Sequence, residues 1–164
     1  MILESPSKKH ADRRWETVLL PTVKRNARVA YTPEQMFDLV NDIESYPKFL
    51  HWCRGARVES RQGDTVEATL DIGVLGFHQS FRTRNSLRRP DRIGIDLVSG
   101  PFRRLRGEWR FVSVETGTDI SLTLSFEVTL SPFGAVFAKV FEELAAAQMT
   151  AFVERAKKVY GAAT

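Results

Sequence analysis

At 164 residues the chain has the length of one domain with a substantial core, and it leaves no room for two. A 43% hydrophobic content with eleven Phe excludes a disordered chain, and a formal net charge of +4 excludes a strongly acidic one. No stretch reaches about 18 uninterrupted apolar residues, which excludes a membrane-spanning helix. Residues 1–21 are polar, mixed in charge and end at Pro21. With Lys8, Lys9, Arg13 and Arg14 but no apolar run, they read as a loosely ordered extension rather than a secretory signal. The domain is expected over residues 22–161. A single cysteine, Cys53, permits no internal disulfide and fits a cytoplasmic protein.

From Thr22 the texture changes. Val23, Arg25, Ala27, Val29 and Tyr31 alternate with Lys24, Asn26, Arg28 and Ala30, the period of a strand. A helix then opens on Thr32, with Pro33 in its first turn and Gln35 completing a capping box. Met36, Phe37, Leu39 and Val40 form its apolar stripe. A turn and a short helix are predicted around Tyr46-Pro47.

A run of strands follows. Ala56 and Val58 start one, which turns at Gly63-Asp64. Val66, Ala68, Leu70 and Ile72 alternate in the next, up to the Gly73–Gly76 turn. Phe81, Thr83, Asn85 and Leu87 then share a face against Arg82, Arg84, Ser86 and Arg88, until Pro90-Asp91. Ile93, Ile95 and Leu97 give a short strand that stops at Ser99-Gly100-Pro101. Leu105, Gly107, Trp109 and Phe111 oppose Arg104, Arg106, Glu108 and Arg110. The clearest strand aligns Ile120, Leu122, Leu124, Phe126, Val128 and Leu130. Ser131-Pro132 caps a final helix of roughly 40 Å, with Phe133, Phe137, Val140, Phe141, Leu144, Met149, Phe152 and Val159 at helical spacing.

Strands joined by tight turns, each with one polar face, predict a twisted antiparallel meander. Only the last helix has an apolar stripe long enough to cover it. The expected fold is α+β of the helix-grip kind, a curved sheet wrapped round a long C-terminal helix with an apolar cavity between them. Ala145, Ala146 and Ala147 leave either close contact or space there. Thr83 and Asn85 point inward by parity, where a buried amide needs a partner from backbone or from a ligand. The Val74-Leu75-Gly76-Phe77 tip is apolar where hairpin tips are usually polar, and is expected to fold over the cavity or to touch a membrane surface.

No catalytic constellation is visible. His10, His51 and His78 are scattered, with no carboxylate or Cys at metal or triad spacing. Glu67 and Asp71 on the polar face are expected to pair with nearby arginines. The protein is read as a binder, not an enzyme, requiring no cofactor.

Tyr31–Met36, Val40–Leu50, Thr83-Arg84-Asn85, Ser99–Phe102 and Trp109-Arg110-Phe111 resemble the START-like coenzyme Q-binding family, also described as polyketide cyclase/dehydrase-like. Within it, Phe141–Ala146 and Arg155-Ala156-Lys157 are similar to the final helix of the bacterial ribosome association toxin branch. The resemblance runs from about Val23 to Gly161. It implies binding of ubiquinone or another isoprenoid lipid in support of respiration, or association with the large ribosomal subunit to block subunit joining. For the first, a quinone head would stack on Tyr46, Phe81, Phe102 or Trp109 and meet Asn85. The rest of the expected site is Pro47, Phe49, Leu50, Thr83, Leu97, Pro101, Phe126, Phe133, Phe137, Val140, Phe141 and Leu144. For the second, Arg82, Arg84, Arg88, Arg104, Arg106 and Arg110 would offer guanidinium groups to RNA phosphate. The expected protein is a cytoplasmic monomer or weak dimer, in transient contact with the inner membrane surface.

Overall fold

The computed structural model describes residues 21–129 and 131–161. The expected extension, apart from Pro21, and the strand residue Leu130 lie outside the described residues. The elements run β1 (Thr22–Val29), α1 (Pro33–Asn41), a 3-10 turn (Ile43–Lys48), β2 (Cys53–Gln62), β3 (Thr65–Val74), β4 (Phe77–Arg88), β5 (Arg92–Ser99), β6 (Phe102–Val114), β7 (Gly117–Val128) and α2 (Pro132–Tyr160).

The seven strands form one antiparallel sheet in the order β1-β7-β6-β5-β4-β3-β2. β2 to β7 are a simple meander. β1 closes on the far edge of β7, with Val23 opposite Leu124 and Val29 opposite Thr118. The sheet curves around α2, giving the helix-grip architecture that strand parity and the long final helix predict. The α1 capping box is present: the Gln35 amide donates to Thr32 Oγ1 at 3.1 Å, and Gln35 Oε1 accepts from the Thr32 amide at 2.9 Å.

Inward residues fall into two clusters. One gathers Met36, Phe37, Ile43, Tyr46, Trp109, Phe111, Met149 and Phe152 beneath α1. The other gathers Ile72, Phe81, Phe102, Leu105, Phe126, Phe137 and Phe141 at the start of α2. Rings meet edge-on through both; Phe102 sits 4.8 Å from Phe141, and Trp109 sits 5.2 Å from Phe152.

Three local features depart from the alternation read in the sequence. β2 begins at Cys53, ahead of Ala56, because bulges at Cys53/Gly55 and Val58/Ser60 break its period. A bulge between Phe102 and Arg104 lets Phe102 and Leu105 both face inward, three residues apart. On α2 the buried line is Phe137, Phe141, Ala145, Met149, Phe152 and Ala156, narrower than the predicted stripe. Phe133 and Val159 stand about half exposed because a curved sheet touches a straight helix along a line rather than a broad face.

Candidate ligand cavity and outer arginine face

The two core clusters do not quite meet. Between them lies a cavity of about 70 Å³. Tyr46, Ala68, Ile93 and Trp109 come from the α1 side, and Phe81, Leu105, Leu124, Phe141 and Ala145 from the other. Ala145 thus leaves space rather than close helix–sheet contact. Trp52, Leu70, Ile95 and Leu144, the partly buried apolar members, complete the lining.

The polar groups of the lining are few. Thr83 is buried and its hydroxyl donates to Asn85 Oδ1 at 3.0 Å. That engages the Asn85 oxygen and leaves its amide nitrogen as the free donor. Gln148 enters the same lining from α2. Neither the Asn85 amide nitrogen nor the Gln148 side chain has a hydrogen-bond partner among the described residues. The Tyr46 hydroxyl donates to the Val40 carbonyl, tying the 3-10 turn to the end of α1. Burial pushes that phenol far above its ordinary value, so it stays protonated.

Among the described residues of the lining Tyr46 is the sole titratable one, with no carboxylate, imidazole, thiol or amine beside it. His51 and His78 are exposed on the surface, and His10 lies outside the described residues. Cys53 is buried outside the cavity; its thiol is pushed up to about 11, chiefly by burial, and donates weakly to the Gly55 carbonyl. No group of three or more His, Cys, Asp or Glu among the described residues could hold a metal ion.

Of the residues expected at the site, Tyr46, Phe81, Thr83, Asn85, Trp109, Phe141 and Leu144 line the cavity. The others do not. Pro47, Phe49 and Leu50 lie in or beside the 3-10 turn, where Phe49 packs on Phe152 and under the Arg155 guanidinium. Phe102, Phe126 and Phe137 form the solid aromatic cluster at one end, with Leu97 packed against it. Pro101 precedes β6, Val140 is turned aside on α2, and Phe133 is half exposed. These placements share a cause: aromatic rings fill the end of the grip instead of surrounding the gap. Ile43, Trp52 and Gln148 went unrecognised, and Val40, Ala68, Leu70, Ile93, Ile95, Leu105 and Leu124 had been read only as one-face positions of their helix and strands. Gln148 had a local signal, being seven residues after Phe141 and four after Leu144 on the buried side of α2.

Arg82, Arg84, Arg88, Arg104, Arg106 and Arg110 all lie on the outer face of the sheet, and most are tied to carboxylates. Glu67 accepts from both Arg82 Nε at 3.1 Å and Arg84 Nη2 at 3.0 Å. Glu108 accepts from both Arg92 and Arg110. Glu127 lies 3.2 Å from Arg103 and 3.8 Å from Arg104. Arg106 pairs with Asp96, and Arg57 with Asp71. Arg88 has no ion-pair partner among the described residues. Three carboxylates each serve two arginines, so each triad keeps a net positive charge.

The model of a protein family described as polyketide cyclase / dehydrase and lipid transport matches residues 29–154, all of the grip except its first strand and the last turns of α2. The chain belongs to this family. Among relatives of this polyketide cyclase/lipid-transport domain, the ribosome association toxin RatA of Escherichia coli (strain K12) is 40% identical over 146 residues, covering 88% of this chain and 92% of that protein. A coenzyme Q-binding protein COQ10 homolog B, mitochondrial, from Xenopus laevis is 26% identical, over 81% of this chain and 57% of its own length. A START superfamily protein from Mycobacterium smegmatis superposes with a TM-score of 0.72 at 22% identity, over 84% of this chain and 98% of the other. That likeness carries the START fold for the domain. No described helix is long and apolar enough to cross a membrane.

Proposed function

We propose that the protein binds a small hydrophobic molecule whose head carries carbonyl or hydroxyl acceptors, an isoprenoid quinone such as ubiquinone being the class that fits best. The observation that carries this reading is the free amide nitrogen of Asn85 together with the unpartnered Gln148 side chain in a largely apolar lining. An amide N–H facing an apolar cavity gains a hydrogen bond only from a ligand or from water. Tail contacts supply most of the affinity, at about 0.8 kcal/mol per buried CH₂, and the amides orient the head. At about 70 Å³ the resting cavity is smaller than a ring with its tail, so this reading requires the lining to expand on binding. With one protonated Tyr as the only titratable group among its described residues, the lining is read as a binding site without turnover.

The test is gentle purification from the native host, organic extraction and mass spectrometry. The expected result is a near-stoichiometric isoprenoid lipid that is lost from Asn85→Leu and from Phe141→Asp. Extraction of no such lipid from a folded protein overturns the reading.

A second reading, ribosome association, is favoured by the three net-positive arginine triads and by the 40% identity to a protein bearing that name. It uses the outer face and leaves the cavity free. The relevant target would be the large subunit, through phosphate contacts that weaken with salt. Co-sedimentation with ribosomes tests it. Arg104→Glu with Arg106→Glu is expected to abolish pelleting while leaving lipid content unchanged. Equal pelleting by that variant overturns it.

A further inference from the structure

We infer that the β3–β4 hairpin tip and the first turns of α2 form a docking surface for an anionic lipid bilayer. This does not rest on the content of the cavity.

The tip is a two-residue turn, Leu75-Gly76, with φ of 50° and 82°. Both values lie in the left-handed region, which suits Asn-Gly and penalises a branched side chain such as Leu. Leu75 is also 84% exposed. Backbone conformation and solvent therefore both disfavour the residue that stands there. Folding gains nothing from it, and a partner outside the chain does.

Leu75 is not isolated. Phe77, just past the turn, lies 5.3 Å from Phe133, which stacks in turn on Phe137. Phe133 and Val136 are 50% and 55% exposed, so hairpin and helix together present one apolar prominence. Among the described residues nothing covers it.

The surrounding charge selects the partner. Segments 72–82, 97–107 and 128–141, which converge on this end of the grip, contain no Asp or Glu. They do contain Arg82, Arg103, Arg104, Arg106 and Lys139; Arg82 shares Glu67 with Arg84 and Arg106 pairs with Asp96, both carboxylates lying outside these segments. Arg54 lies along Gly73 at the base of the hairpin, its Nε 3.4 Å from the Gly73 carbonyl. Glu127, from β7, is shared between Arg103 and Arg104 and leaves a positive excess. An apolar wedge with a cationic, carboxylate-poor rim matches acyl chains beneath anionic headgroups. RNA offers nothing for the wedge.

The test is flotation of the full chain with vesicles of phosphatidylcholine plus phosphatidylglycerol, beside phosphatidylcholine alone. The expected result is binding to the anionic vesicles that weakens with salt and falls about tenfold for Leu75→Asn. That substitution suits the turn, so its melting temperature should not drop and a folding defect cannot mimic the loss. Val136→Gln, on an exposed helix face, should act in the same direction. Equal flotation of Leu75→Asn and the parent, or a parent that floats with neither vesicle, overturns the inference.

Discussion

Thr83 and Asn85, two residues apart on β4, are joined side chain to side chain inside the grip: the Thr83 hydroxyl donates to Asn85 Oδ1 at 3.0 Å. The bond fixes which end of the amide meets the cavity. Asn85 therefore offers a donor, and a ligand must bring an acceptor. Thr83→Val should free the amide to turn and weaken binding of a short-chain ubiquinone by a few-fold, about 1 kcal/mol. Asn85→Asp should abolish binding near neutral pH. A carboxylate in this apolar setting has a raised pKa, so acid restores a neutral O–H donor and part of the affinity. Quenching of Trp109 and Trp52 fluorescence on titration reads both effects.

Phe152 holds the core beneath α1. Its ring stands 5.1–5.3 Å from those of Phe49, Trp109 and Tyr46, all edge-on. Phe152→Ala should cost about 3–5 kcal/mol, seen as a lower urea midpoint at unchanged slope.

Glu108 gives the fold an acid limit. The hydrogen bond from Arg92, with a further one from Arg110, holds its carboxyl below the ordinary 4.5. A folded pKa below the unfolded one means stability that is complete above about 4.5 and is lost as pH falls through the lower folded value. Glu108→Gln should flatten that acid limb of a melting-temperature profile, with little change at neutral pH because the pairs are solvent-screened.

Cys53 should resist alkylation. Buried, and with its thiol raised to about 11, it holds almost no thiolate near neutral pH. Iodoacetamide should label it only after denaturant is added, as intact mass will report.

Parity and capping were local enough to read. The inward set of β4 and the Thr32–Gln35 box depend on neighbours within a few residues, and both stand where the sequence put them. Position around the cavity was not local. Val40, Ile43 and Trp52 reach it because the sheet curls and β1 closes on β7, a pairing across almost 100 residues that no short window contains. Phe133 and Val140 fail to reach it because curvature narrows the contact with α2. Outer-face charge was legible as residue type, but the sharing of one carboxylate by two arginines depends on register between strands.

The placement of α2 after all seven strands has a consequence during synthesis. All seven strands emerge before the element that covers their concave side, and β1 must wait for β7 to gain its neighbour. A nascent chain therefore carries a half-built, greasy trough until residues 132–160 leave the exit tunnel. Truncations within the final helix should yield aggregates rather than a weaker version of the same domain.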